Sequence, residues 1–261
     1  YRKYKKEKKI IMKNFRIIPR LEIKNNYVIK GIKMEGLRKV GKPIEMTKKY
    51  LKDCADEIIF DDIVASLYNR KCDLNLIQKI ADTINVPLAV SGGINSLAEI
   101  TKIFNHGGDK IFMNTFALNN EKIISTAAEK YGSQSIGIQM QIKKFNDEYE
   151  VLTESGRSRT YIKAKDWIKK IKTLGAGEIL LSSIDNDGTK NILNNNDLKY
   201  FRSLTDLPIL YAGGVASKSD FVDLMKLGYD GCVVSRSLHF NEINIKNIKI
   251  ELCKINNFIN L

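Results

Sequence analysis

Two turns in the sequence have the composition of anion seats. VPLAVSGGINS (86–96) and LPILYAGGVAS (207–217) each carry an apolar run into a Gly-Gly pair and then into a helix start. Glycine lets the backbone close on a ligand, and N–H groups at a helix start point toward it. The next apolar run in each case ends in small polar residues, Asn114-Thr115 and Ser235-Arg236. Gly93 with Asn114 and Thr115, and Gly214 with Ser235 and Arg236, could thus cradle two phosphates. The plainer alternative is that each Gly-Gly pair only eases a tight turn. A second set of residues could move protons: Glu22, Asp61-Asp62, Asp185 and Asp187 follow apolar runs, as does Gln141. Carboxylates so placed serve acid–base chemistry when their pKa values are tuned, although Asp and Asn also cap helices and form turns. A third set opens such runs. Arg16, Glu57, Lys110 and Glu178 each stand at a strand start. Two acids and two bases could close a neutral ring, or could be four separate surface charges.

The elements that must position these residues are strands alternating with helices. Apolar runs rich in Ile and Val recur at 15–21, 57–61, 87–90, 110–113, 135–140, 178–182, 207–211 and 231–234. Between them lie amphipathic stretches at 43–53, 73–84, 96–105, 119–131, 163–174, 217–226 and 243–258. Continuous apolar strands imply a parallel sheet buried on both faces, and eight such units in this length imply a closed (β/α)8 barrel. The acids and Gly-Gly turns then gather at the C-terminal mouth, and the four charged strand starts at the bottom. Residues 145–154 read as an inserted hairpin after the fifth strand.

The chain is also internally doubled. The two Gly-Gly segments lie 121 residues apart, and the same offset relates Glu57-Ile58 to Glu178-Ile179 and Asp109 to Asp230. The fold class is therefore an α/β barrel built from two half-barrel repeats.

Composition narrows the function classes. The chain has 261 residues, 43% of them hydrophobic, enough for one large core. The net charge is +13. Six bases and one acid fall within residues 1–11, expected to be a basic disordered extension ahead of a single domain over 12–261, with Met12 a natural start. The remaining positive charge suits a phosphorylated small-molecule substrate. No aromatic-interleaved basic motif favours nucleic acid, and no apolar run favours a membrane. Four cysteines without CxxC spacing, with His106 and His239 alone beside them, suggest reduced thiols in a cytoplasmic protein with neither metal nor cofactor.

RIIPRLEIKNNYVIKG (16–31), DEIIFDDIVAS (56–66), VSGGI (90–94), GGDKIFMNT (107–115), GSQ (132–134), GAGEILLSSIDNDGTK (175–190), AGGV (212–215) and SLHFNEI (237–243) together resemble the HisF family, the cyclase subunits of imidazole glycerol phosphate synthase. The resemblance spans about residues 14–250. It implies a HisH-like glutaminase partner at the barrel bottom that sends ammonia up the barrel. The substrate it implies is a bis-phosphorylated ribulosyl aminoimidazole carboxamide. It assigns Arg16, Glu57, Lys110 and Glu178 to an ammonia gate, Asp109 to the glutaminase contact and Lys30 to a flexible loop after strand 1. Asp62 and Asp187 fall in the substrate mouth. Gly93, Asn114 and Thr115 match one phosphate site, Gly214 and Ser235 the other.

Two departures fall on the chemistry. The family's two essential aspartates correspond here to Glu22 and Gln141. Glu22 moves its carboxylate by a methylene, and an amide cannot exchange a proton at neutral pH as a carboxyl does. Arg236 replaces a small residue, and could either add a charged contact or fill the cradle. This pattern resembles paralogues found with surface-polysaccharide genes, which supply ammonia to a third, sugar-amidating protein. That is the expected function, with a divergent cyclase of histidine biosynthesis as the alternative. The single-chain sugar isomerase related to this family shares the repeat but needs no gate.

Overall fold

A computed structural model describes residues 15–33, 35–65 and 70–256. The basic run expected to be a disordered extension lies outside the described residues. Strand β1 (Arg16–Lys24) leads into a hairpin of β2 (Tyr27–Ile32) and β3 (Glu35–Gly41) and then into helix α1 (Pro43–Lys52). There follow β4 (Ile58–Asp62), α2 (Leu74–Ala81), β5 (Leu88–Ser91), α3 (Leu97–Asn105), β6 (Lys110–Met113), α4 (Thr115–Asn119) and α5 (Lys122–Tyr131). The second half contains β7 (Ile136–Phe145), β8 (Glu148–Thr153), β9 (Ser158–Lys163), α6 (Ala164–Thr173) and β10 (Glu178–Ser183). It ends with α7 (Asn195–Ser203), β11 (Ile209–Ala212), α8 (Lys218–Lys226), β12 (Gly231–Val234), α9 (Arg236–His239) and α10 (Ile245–Asn256).

Strands β1, β4, β5, β6, β7, β10, β11 and β12 pair in parallel, and β12 returns to β1. The expected (β/α)8 barrel is therefore closed, with helices between its strands. The predicted hairpin at 145–154 is instead part of a meander. β7 continues to Phe145, pairs antiparallel with β8, and β8 pairs with β9. The Arg159 guanidinium lies 4.0 Å from the Phe145 ring centre and pairs with Glu150, extending the element beyond the expected turn.

Alternation along each strand sorts its side chains. Ile17, Leu21 and Ile23 face the helices in the main core with Trp167, Phe201 and Tyr50. Ile18, Ile59, Ala89, Phe112, Leu180, Leu210, Ala212 and Val233 form a separate apolar cluster inside the barrel. Gly137 makes room for it, because a Cβ there would lie 2.4 Å from the Phe112 ring. Helix α7 has no match among the sequence-predicted helices. It buries only Leu198 and Phe201, and its start is set by the Asn194 side chain accepting from the backbone N–H groups of Asn196 and Asp197.

The doubling is visible in hydrogen bonds. Asp109 accepts from the backbone of Leu88 and Asp230 from that of Ile209, in both cases across 21 residues. Ser96 and Ser217 cap α3 and α8, and Glu99 and Asp220 reach back to Asn95 and Ala216.

Candidate functional site

The bottom of the barrel carries a closed ring of charge. Arg16 Nη1 lies 2.8 Å from Glu57 Oε2, and Arg16 also pairs with Glu178. Lys110 Nζ completes the circuit, 2.7 Å from Glu178 Oε2 and 3.5 Å from Glu57 Oε1. The two acids are buried and Arg16 and Lys110 are partly so. Burial pushes the Glu57 carboxyl above its usual range, with Lys110 and Arg16 opposing. The structure thus brings together the four residues that opened apolar runs in the sequence. Asp109, beside the ring, is engaged by the Leu88 backbone.

Above the ring comes the apolar cluster, and above that a polar layer. Two positions along from Ile18, Ile59, Ala89 and Leu180 stand Arg20, Asp61, Ser91 and Ser182, all buried. Ser91 Oγ donates to Gln139 Oε1 at 2.9 Å. Arg20 Nη2 lies 2.8 Å from Glu22 Oε1 and 3.3 Å from Asp187 Oδ1. Asp61 Oδ2 stands 3.9 Å from Arg20 Nη1.

Arg20, Asp61, Ser91 and Gln139, but not Ser182, line a cavity at the mouth with Glu22, Lys30, Asp62, Gly92, Gly93, Asn114, Thr115, Gln141 and Asp187. Lys30 is not on a loop. It lies on β2, buried, and its Nζ reaches Glu22 Oε1 at 2.8 Å and Asp187 Oδ2 at 2.9 Å. The β1–β2 turn is only two residues, so the hairpin folds straight back over the mouth and delivers the lysine as a fixed strand position. Burial would raise the Glu22 carboxyl, but Lys30 and Arg20 outweigh it and hold it below the usual carboxylate range. Glu22 is therefore a committed anion. Gln141 Oε1 accepts from Asn114 Nδ2 at 3.0 Å, tying one expected site residue to another. Asp62 is raised by burial and opposed by Arg70, 3.4 Å away. Burial pushes Asp61 up to about 6, Arg20 pulling it back while Glu22 and Asp62 push it further.

The two glycine turns differ. Gly92, Gly93, Asn114 and Thr115 open into the cavity, joined by Ser155 and Arg157 from the β8–β9 turn. Gly214, Ser235 and Arg236 do not line it. A Cβ on Gly214 would fall 1.8 Å from the Asn191 carbonyl oxygen, so packing of the preceding loop alone requires glycine there. Arg236 pairs with a neighbouring acid. Its Nη1 turns to Glu242 at 3.2 Å. Ser235 Oγ stands 3.5 Å from Glu22 Oε1, at the cavity's edge.

Residues missed in the sequence are Arg20, Gln139 and Arg157. Period-two alternation from Arg16 through Ile18 to Arg20 and Glu22 puts Arg20 on the inner face and was the available signal. Among the described residues no cluster of His, Cys, Asp and Glu could hold a metal ion, and no helix is long and apolar enough to cross a membrane. The described cysteines Cys54, Cys72, Cys232 and Cys253 are unbridged.

The chain is thus a closed (β/α)8 barrel with a charge ring at one end and, at the C-terminal mouth where barrels of this class hold their active sites, a cavity of cations and carboxylates. The profile of the histidine biosynthesis protein family matches residues 16–244. Imidazole glycerol phosphate synthase subunit HisF of Chlorobium phaeovibrioides is 41% identical over 235 residues, 90% of this chain and 94% of that protein. The subunit of the same name from Thermotoga sp. (strain RQ2) is 37% identical over 239 residues, covering 92% and 94%. That from Thermococcus onnurineus is 38% identical, covering 90% and 93%. The chain belongs to the histidine biosynthesis protein family, as a HisF member.

Proposed function

We propose that this chain is the barrel subunit of a glutamine-dependent amidotransferase. Ammonia released by a HisH-like glutaminase partner enters at the ring of Arg16, Glu57, Lys110 and Glu178 and travels up the barrel to its mouth. The observation that carries this reading is the ring itself: four charges closed into a neutral circuit directly beneath an apolar interior. A charged species entering that interior forfeits its hydration, whereas neutral ammonia loses little. The first-half cradle at Gly93, Asn114 and Thr115, with Arg157 near it, suits one phosphate of a phosphorylated acceptor. The second cradle, at Gly214, Ser235 and Arg236, remains the proposed seat of the other.

Two fates of the ammonia follow. In the first, the chain is a paralogue that passes ammonia to a third, sugar-amidating protein of surface-polysaccharide synthesis in the cytoplasm. Its support is the mouth chemistry: Gln141 is an amide held by Asn114, and Glu22 is locked by two cations, so neither expected carboxylate is free to shuttle protons. In the second, the barrel itself cyclises the bis-phosphorylated ribulosyl intermediate of histidine biosynthesis, a reading supported by 37–41% identity to HisF subunits along nearly their whole length. The deciding assay supplies ammonium salt and that intermediate to the purified chain. Turnover near that of a HisF cyclase selects the second fate. No turnover, with ammonia still reaching the mouth side when the glutaminase is added, selects the first. Arg16→Ala that leaves ammonia transfer unchanged would reduce the barrel to a scaffold.

A further inference from the structure

We propose that Asp61, at the inner end of β4, is the proton acceptor for the incoming ammonia, taking the place that neither Glu22 nor Gln141 can fill. The proposal rests on the reading in which ammonia is consumed within this barrel's own mouth.

Elimination among the cavity's groups leads to it. Glu22 Oε1 is shared by Lys30 and Arg20, both at 2.8 Å. Asp187 receives Lys30 at 2.9 Å and Arg20 at 3.3 Å. Asp62 receives Arg70 and the Val64 backbone N–H. Gln141 is an amide. Asp61 alone has no cation within hydrogen-bonding distance; Arg20 Nη1 stands off at 3.9 Å and forms no hydrogen bond at all. The groups facing Asp61 are Arg20 and Glu22 from β1, Ser91 from β5, Asp62 on its own strand and the Cys72 segment. Lys30 and Asp187 lie one contact further, through Glu22 and Arg20. Their balance leaves Asp61 exchanging its proton close to neutrality, where a general base is most effective.

A second observation locates the nucleophile. Arg20 Nε and Nη1 and Gln139 Nε2 are buried polar atoms without hydrogen-bond partners, on two side chains that line this cavity. Buried donors are normally satisfied, and three orphans on two side chains of one cavity mark a seat for a small polar molecule. Ammonia fits that seat: its lone pair can accept from one of these donors, and the Arg20 guanidinium lies 3.9 Å from the Asp61 carboxylate. The layer lies immediately beyond the apolar cluster, so it offers the first hydrogen-bonding groups above that cluster. In the reaction the nitrogen lone pair forms a bond to the ketone carbon of the phosphorylated keto sugar, and the C=O π pair moves to oxygen. One N–H proton passes to the Asp61 carboxylate and then to that oxygen, giving a neutral carbinolamine and regenerating the carboxylate.

The test follows turnover of the bis-phosphorylated ribulosyl intermediate with ammonium chloride across acid and neutral pH, at fixed free ammonia, in wild type, Asp61→Asn and Ser91→Ala. Carboxyl-carbon NMR follows the Asp61 titration in the same proteins. Wild-type turnover is expected to fall on the acid side of the Asp61 titration. Asp61→Asn should lose about 10²–10⁴-fold in kcat and lose that limb. Ser91→Ala, which removes a hydroxyl facing Asp61 that can turn from Gln139 to favour the carboxylate, should shift the limb to higher pH and keeps the test alive if Asp61→Asn fails to fold. An Asp61→Asn protein as active as wild type, or an Asp61 that stays ionised throughout, overturns the proposal alone. An inactive wild type overturns the reading beneath it, and the proposal with it.

Discussion

Asp61→Asn should make the protein more stable while it loses activity. The carboxyl is fully buried and titrates at about 6 in the folded chain against an ordinary 3.8. That gap corresponds to about 3 kcal/mol. The sign follows from which state holds the proton. Between 3.8 and about 6 the unfolded chain has released its proton while the folded chain still binds it. Stability is therefore lost as pH rises through that window, and stays low above it. Asparagine removes the buried charge, so the variant should gain up to about 3 kcal/mol in mildly alkaline buffer, roughly 6–12 °C in Tm for a chain of this size. Below the lower pKa both proteins are uncharged at this position and their stabilities should converge. Urea unfolding of the two proteins across pH reads this directly, as a difference curve that opens between acid and neutral. A variant less stable than wild type in alkaline buffer, with no convergence in acid, would refute the reasoning and mean that Arg20 stabilises the Asp61 anion despite its 3.9 Å separation.

Other parts of the structure give further expectations. Glu178→Gln leaves Arg16 and Lys110 with one acid between them. The cost should be about 3 kcal/mol, the lower end of the range for breaking a buried pair because Arg16 is a quarter exposed. A loss below about 1 kcal/mol in urea unfolding would mean the ring behaves as a solvated surface cluster. Gly214→Ala forces a Cβ to within 1.8 Å of the Asn191 oxygen at φ +75°, and Gly36→Ala adds one in open space at φ +64°. Thermal melts should place the first well below the second, whose cost is only the left-handed backbone, about 1–2 kcal/mol. Ser96→Ala and Ser217→Ala remove equivalent caps in the two halves and should each cost about 1 kcal/mol. A difference between them larger than that cost would break the equivalence of the half-barrels.

What could be read in the sequence divides along physical lines. The barrel was legible because its strands are short, continuous apolar runs and because Leu88–Asp109 and Ile209–Asp230 repeat at one spacing. The bottom ring was legible because a charge opening an apolar strand has few other places to go. Lys30 was misplaced because β2 looks like an ordinary loop until it is paired with β1 and β3, and pairing is not a local property. Helix α7 was missed because two buried residues at i and i+3 make too weak a stripe. The committed state of Glu22 was hidden for another reason. Its two cations come from two positions earlier on its own strand and from the neighbouring strand β2, and only the folded barrel shows that both converge on one oxygen.

The apolar cluster around Phe112 separates the two polar ends of the barrel and works as an insulator. An ion the size of ammonium crossing such a layer would face a penalty on the order of 20 kcal/mol in the idealised limit. On the proposed route, a proton held at the bottom ring cannot ride upward on ammonia. Each end must therefore keep its own proton account: whatever charge the ring neutralises stays at the ring, and any proton released at the mouth must be received by a group that lives there.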